Sequence, residues 1–179
     1  MEKSIVSQKT ATTIFLLGFM ASGKSSYGRK AAKRLELPFI DLDAEIEKKM
    51  GMSIPELFQK QGEQAFRAIE FQTLSDLLPQ SGIISLGGGT VCNQDVWDLL
   101  KGHGLTVFLD MPFEQCLGRL RSSNKDRPLA ANLEDKEAID TLRALYQTRQ
   151  EIYHLADHKV DFPYDHKSLA NSLSSWIKR

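Results

Sequence analysis

Apolar runs and amphipathic stretches alternate along the chain. Thr13–Leu17 is almost uniformly apolar and predicts a buried strand; Ser25–Leu35 predicts a helix, and Phe39–Asp43 a second strand. Ser53-Ile-Pro-Glu56 has capping-box spacing and opens a short helix ending near Gly62, and Glu63–Leu78 continues as a further helix. Gly82–Leu86 predicts a third strand that runs into Gly87-Gly88-Gly89. Asn93 is placed to cap a helix reaching Lys101, Leu105–Asp110 predicts a fourth strand, and Pro112–Arg121 and Asp135–Ala156 predict two more helices. A fifth strand, His158–Phe162, and a last helix, Ser168–Ile177, complete the chain. Strands that are apolar throughout and separated by helices indicate an α/β fold with a parallel sheet covered on both faces. The exception is Ser122–Asn132, which is polar, contains Pro128 and has no helical period. A loop of that kind inside a compact domain is often a lid or a binding loop.

Composition narrows the possibilities. The chain has 179 residues, 41% hydrophobic and 26% charged, which fits one globular domain with a real core. It shows no repeat and no interdomain linker, so residues 1–179 are read as a single domain. Lys plus Arg and Asp plus Glu are both 23, so the net charge is zero. A neutral chain offers no footprint for nucleic acid or a membrane surface, and the protein is expected to be a monomer. Cys92 and Cys116 form no close pair and have no His at metal-ligand spacing, which suggests reduced thiols in the cytoplasm and no zinc site. No run approaches the roughly 18 apolar residues of a membrane span. Lys3, Lys9 and the run Ile14–Ala21 imitate a secretory signal, but Gly18 interrupts the run and Lys24 follows it.

The same residues have another explanation. Gly18-Phe-Met-Ala-Ser-Gly23-Lys24-Ser25 follows the P-loop pattern, with a strand before it and a helix after it. Gly18 and Gly23 let the backbone bend so that successive N–H groups point at phosphate oxygens, and the helix adds the positive end of its dipole. Lys24 is placed for the β- and γ-phosphates, and the Ser25 hydroxyl for Mg²⁺.

Four further features carry chemistry. Asp41 and Asp43 flank Leu42 and, within one strand, would share a face at its carboxyl end. One would serve Mg²⁺ through water and the other accept a proton from a hydroxyl, unless Asp43 only caps a helix starting at Ala44. Arg67 and Arg149 interrupt apolar helix stripes, so each needs an anionic partner: Glu70, or a substrate carboxylate. Arg119, Arg121, Lys125 and Arg127 concentrate basic charge on the suspected lid, either to close over phosphates or as a solvated loop. Gly87-Gly88-Gly89 permits close backbone approach to a ligand, or a tight turn.

In chain order, the P-loop, Asp41-x-Asp43, Gly62-Glu63-x-x-Phe66-Arg67-x-x-Glu70, the triple glycine, Arg127-Pro128-Leu129 and Leu145-x-x-x-Arg149-x-x-x-Tyr153 resemble the shikimate kinase family over nearly the whole chain. The P-loop is shared by many families, whereas the Asp-x-Asp, Phe-Arg and triple-glycine set is far more specific. The resemblance implies a three-layer α/β/α fold of P-loop NTPase type, with a five-stranded parallel sheet of order 2-3-1-4-5. It implies substrate-binding helices across 44–78 and a mobile lid across 122–134. It implies ATP as co-substrate, bound by Gly18, Ala21, Ser22, Gly23, Lys24, Ser25 and Ser26, with Mg²⁺ served by Ser25 and Asp41. Shikimate would be bound by Asp43, Arg67, Gly87, Gly88, Gly89 and Arg149, the two arginines taking its carboxylate. Lys24, Asp43 and Arg127 would be catalytic, and Arg119 or Arg121 would flank adenine with Pro163. The family usually continues Arg-Pro-Leu with a second Leu, where Ala130 stands here. The expected reaction is phosphorylation of the 3-hydroxyl of shikimate; a kinase for another small polyol acid such as gluconate, or a non-catalytic P-loop regulatory protein, are the alternatives.

Overall fold

The strand predicted at Thr13–Leu17 forms β1, and every residue in it is buried. Its two neighbours explain why: β3 (Gly82–Ser85) pairs with it on one side and β4 (Gly104–Asp110) on the other, both parallel. The outer strands are β2 (Phe39–Asp41), beside β3, and β5 (His158–Asp161), beside β4, which gives a five-stranded parallel sheet of order 2-3-1-4-5. The computed structural model describes residues 13–78, 80–123 and 133–177.

Seven α-helices link the strands among the described residues: α1 (Lys24–Leu35), α2 (Leu42–Met50), α3 (Ile54–Leu77), α4 (Gln94–Lys101), α5 (Phe113–Arg121), α6 (Lys136–Tyr153) and α7 (His166–Ile177). Parallel crossovers are right-handed. The chain moves one way across the sheet through α1 and the other way through α3, α4 and α6, so these connections fall on opposite faces. Helices α1 and α7 pack on each other. The core is continuous from Ile14, Phe15 and Leu16 in β1 to Leu42, Leu57 and Leu74 under β2 and to Phe108, Tyr153 and Leu169 toward β5. Among the described residues no helix is long and apolar enough to cross a membrane.

Local chemistry sets the element ends. Ser53 accepts from the Glu56 N–H at 3.4 Å while the Ser53 N–H donates to the Glu56 carboxylate at 2.8 Å, a complete capping box at the start of α3. Asn93 caps α4 by accepting from the Asp95 N–H, and Asp135 caps α6 by accepting from the Glu137 N–H. Helix α7 starts two residues earlier than predicted because the Asp165 carboxylate accepts from the N–H groups of Lys167 and Ser168. A single 3₁₀ turn, Thr90–Cys92, follows the triple glycine and was not anticipated.

The strand predicted at Phe39–Asp43 is a correction. Pairing with β3 stops at Asp41, opposite Ser85, and a helix begins at Leu42. The cause is apolar spacing: Leu42 and Ile46 are both fully buried, which is helical periodicity. Asp41 therefore ends a strand and Asp43 lies in the first turn of α2, where a negative charge suits the helix dipole. They do not share a strand face, and Asp43 does not cap a helix at Ala44. The N-cap position belongs to Asp41, whose side chain makes no capping bond.

The two helices predicted to meet near Gly62 do meet there, running into one another across a kink at φ 79°, ψ 173°. That combination is essentially open to glycine alone. A Cβ at Gly62 would meet no atom within 4 Å, so a substitution there tests the backbone and nothing else. Gly62→Ala is expected to lower unfolding stability by about 1–3 kcal/mol, measured by urea denaturation. An unchanged midpoint would show that the kink is not needed to join the two arms of α3.

Candidate active site

Between β1 and α1 the chain turns through Gly18 at φ 142°, Ala21 at φ 60° and Gly23 at φ 98°. Ala21 is one of the few non-glycine residues in the left-handed region, and it persists there because the loop is tied on all sides. Lys24 Nζ donates to the carbonyls of Gly18 at 2.7 Å and Phe19 at 2.9 Å. Arg119 Nη1 donates to Ala21 O at 3.3 Å, the Tyr164 hydroxyl to Ser22 O at 2.8 Å, and the Tyr27 N–H to Gly23 O at 2.8 Å. With these carbonyls occupied from outside, the loop presents its N–H groups at the start of α1, the arrangement that binds an oxyanion.

Arg119 is held by more than the loop. Its Nη2 donates to the Tyr27 hydroxyl at 2.9 Å, and its guanidinium lies 5.3 Å from the centre of that ring. Tyr27 meets Tyr164 edge to face at 5.8 Å. Burial pushes the Tyr164 hydroxyl far above the usual tyrosine range, so it remains a donor. Arg121 points elsewhere: it is exposed and donates to Leu133 O. Of the two arginines left open for the adenine side, Arg119 is the one beside the phosphate loop. Pro163 is exposed next to Tyr164. Arg127 and most of the predicted lid, 124–132, lie outside the described residues.

On the other side of Lys24, Ser25 Oγ is 3.5 Å from Ser85 Oγ, and Ser85 is the register partner of Asp41. Hydroxyl and carboxylate oxygens are the donors a small hard divalent cation takes, and Mg²⁺ binds through few protein groups plus water and phosphate. The donor set fits Mg²⁺. No cluster of three or more His, Cys, Asp or Glu is placed to hold a metal among the described residues.

The second half of the site is an open cleft of about 590 Å³ whose walls include Arg67, Gly89, Asn93, Leu145 and Arg149. A Cβ added to Gly89 would lie 2.9 Å from Arg67 Nη2 and 3.0 Å from Arg149 Nη2, so two guanidiniums from different helices converge on one glycine. A Cβ on Gly87 would lie 2.8 Å from Asp43 Oδ1, and one on Gly88 would lie 3.5 Å from both Arg149 Nη1 and the Met20 N–H nitrogen. The triple glycine thus brings Asp43, both arginines and the phosphate loop against one stretch of backbone. The Tyr153 hydroxyl donates to Gly88 O, and burial keeps that phenol protonated well above its usual range.

Arg67 has an internal partner as well. Its Nη1 donates to Glu70 Oε2 at 2.8 Å and its Nη2 to Glu63 Oε1 at 3.2 Å. Burial opposes the charge on Arg67, and the two carboxylates together outweigh it, holding the group above its ordinary pKa. Arg149 is 8% exposed and lies 6.0 Å from the centre of the Phe19 ring. Sequence reasoning missed Tyr27, Tyr164 and Thr90. The helical spacing of Tyr27 one turn beyond Lys24 was a usable signal; the others act across folds of the chain that no local pattern reveals.

A nucleotide-phosphate loop facing a separate cleft that pairs two guanidiniums with a carboxylate defines a P-loop phosphotransferase for a small anionic acceptor. The family model described as shikimate kinase matches residues 20–178. The shikimate kinase of Aquifex aeolicus is 43% identical over 148 residues, covering 82% of this chain and 84% of that one. The crystal structure of shikimate kinase from Bacteroides thetaiotaomicron superposes with a TM-score of 0.85 at 30% identity, over 94% of this chain and 99% of that one. The enzyme from Acinetobacter baumannii, solved in complex with shikimate, superposes with a TM-score of 0.83 at 32% identity, over 95% and 94%. The chain belongs to the shikimate kinase family, phosphotransferases with an alcohol acceptor.

The two thiols differ sharply in this setting. Cys116 is buried, and burial pushes its thiol up to about 11, whereas Cys92 is exposed at the cleft. At about pH 8 a chromogenic disulfide reagent is expected to titrate one thiol per native chain, and the second only after unfolding. Two fast equivalents in the folded protein would contradict the burial of Cys116.

Proposed function

We propose that this chain transfers the γ-phosphoryl group of ATP to the 3-hydroxyl of shikimate, giving shikimate 3-phosphate and ADP. The observation that carries this reading is the convergence of Arg67 and Arg149 on Gly89, one residue from the backbone that touches the phosphate loop. A planar carboxylate suits paired guanidiniums, and a carbocyclic acid held there by its carboxylate would direct its hydroxyls toward Asp43 and the loop.

Catalysis then rests on positioning and charge. The N–H groups of Gly18, Ala21 and Gly23 through Ser26 cradle the phosphates, while the Ser22 N–H donates to Phe19 O within the loop, and Lys24 exchanges its loop carbonyls for phosphate oxygens. Ser25 and, through water, Asp41 would hold Mg²⁺, which when bound supplies charge neutralisation to the phosphates. Asp43 orients the acceptor hydroxyl and takes its proton. Arg127 is assigned to the phosphates from the lid, and Arg119 with Pro163 to the adenine side.

A coupled assay of ADP release tests the activity. ADP formation that depends on shikimate and is not reproduced by gluconate is expected; equal rates with gluconate, or none with either, would overturn the reading. Arg67→Ala and Arg149→Ala should each raise the KM for shikimate far more than that for ATP, since leaving one partner of a desolvated charge pair unmatched costs about 2–5 kcal/mol. If the KM for ATP rises instead, the two arginines belong to the nucleotide.

Asp43→Asn separates chemistry from structure. Asparagine keeps the shape but cannot take the proton, so kcat should fall about 10²–10⁴-fold with little change in Tm. Asp41→Asn should mainly raise the Mg²⁺ concentration for half activity. A normal kcat in Asp43→Asn would remove Asp43 from the reaction.

A further inference from the structure

Glu70 is 2% exposed, and each of its two carboxylate oxygens has its own donor. Oε2 accepts from Arg67 Nη1 at 2.8 Å. Oε1 accepts from the Thr90 hydroxyl at 2.6 Å, across twenty residues of sequence, and Thr90 is fully buried. A carboxylate can only accept, so in this bond Thr90 must donate.

We propose that Thr90 is a positioning residue for the acceptor substrate: by occupying Glu70 Oε1 it limits Glu70 to one bond with Arg67 and keeps the guanidinium facing Gly89. Guanidinium and carboxylate otherwise prefer a bidentate pairing. With Oε1 unoccupied, Arg67 would give up the 3.2 Å bond from Nη2 to the exposed Glu63 and turn that nitrogen onto Glu70 as well, away from the cleft. The alternative, an unsatisfied buried oxygen, carries its own penalty. Either way the arginine is less available to an external carboxylate.

The placement of Thr90 supports a role in the site over one in packing alone. A Cβ on Gly87 would lie 2.8 Å from the Thr90 hydroxyl, 2.8 Å from Asp43 Oδ1 and 3.3 Å from Glu70 Oε1. The Thr90 hydroxyl therefore gathers at the same glycine as the carboxylate that steadies Arg67 and the one assigned to the acceptor hydroxyl. Its backbone N–H donates to Gly87 O at 3.3 Å, which fixes the hydroxyl to the triple-glycine loop itself. The inference rests on the assignment of Arg67 to the shikimate carboxylate.

The test is a kinetic cycle of Thr90→Val, Thr90→Ser and Arg67→Ala, with Tm measured for each. Valine keeps the volume and removes the donor; it should raise the KM for shikimate roughly tenfold, the effect of leaving a buried acceptor unmatched. The KM for ATP and kcat should stay within about twofold, which a general loss of structure would not produce. Serine should restore the wild-type KM. In the Arg67→Ala background, Thr90→Val should have no further effect on the KM for shikimate. An equal rise with and without Arg67, or none in the single variant, would overturn the role of Thr90. An unchanged KM for shikimate in Arg67→Ala alone would overturn the assignment of Arg67, and this inference with it. If Thr90→Val does not fold, Thr90→Ala, which adds no new group, is read in the same way.

Discussion

A loop that turns its N–H groups toward a ligand has to find partners for its carbonyls elsewhere, and that constraint organises this protein. Each backbone acceptor removed from water needs a donor. Here the donors for Gly18 and Phe19 come from Lys24, six and five residues away, but those for Ala21 and Ser22 come from Arg119 and Tyr164, 98 and 142 residues distant in sequence. Helix α5 and the segment after β5 must therefore lie beside the loop, and placing β4 directly next to β1 accomplishes this. The strand order serves the loop as much as it serves the core. It also explains how Ala21 is kept in a backbone region that costs most residues about 1–3 kcal/mol.

The acceptor half is supported differently. Its cations are on helices α3 and α6: Arg67 is held by the buried Glu70 and the exposed Glu63, and Arg149 lies over the Phe19 ring. Glu70 and Glu63 engage Arg67 through separate nitrogens, Nη1 and Nη2, and Nη2 still lies beside Gly89. A structural ion pair and a ligand-binding role are therefore compatible for this arginine. Removing Glu70 would leave a half-buried cation without its main partner, whereas leaving it paired costs only part of the hydrogen-bonding capacity of Arg67.

Much of the fold was legible because strands and helices differ in hydrophobic period, and β1, β3 and β4 are apolar enough to leave no ambiguity. The P-loop was legible because its glycines and lysine act within one local turn. Asp41-x-Asp43 was misread as a strand because alternation over three residues looks the same in a strand end and a helix start; the burial of Leu42 with Ile46, visible only with the partner helix α3 in place, decides it. Arg67 and Arg149 could be singled out as charges on apolar stripes, but their meeting at Gly89 is a property of tertiary structure. Thr90 and Tyr164 were invisible for the same reason: an ordinary hydroxyl gains its role only from what it faces.

The outer strands carry a consequence of their own. A parallel sheet of five strands has two open rims, and an unpaired rim is a template on which another chain can add by backbone pairing. Strand β2 is three residues long and passes at once into a helix. Strand β5 spans four residues, buries only Val160 well, and its Lys159 pairs with Asp110 at 3.5 Å and Asp161 at 2.6 Å. Neither rim offers the length of free, flat backbone that edge-to-edge growth requires. The uniformly buried and largely apolar β1, the segment best suited to self-association, sits in the middle of the sheet, as far from either rim as five strands allow.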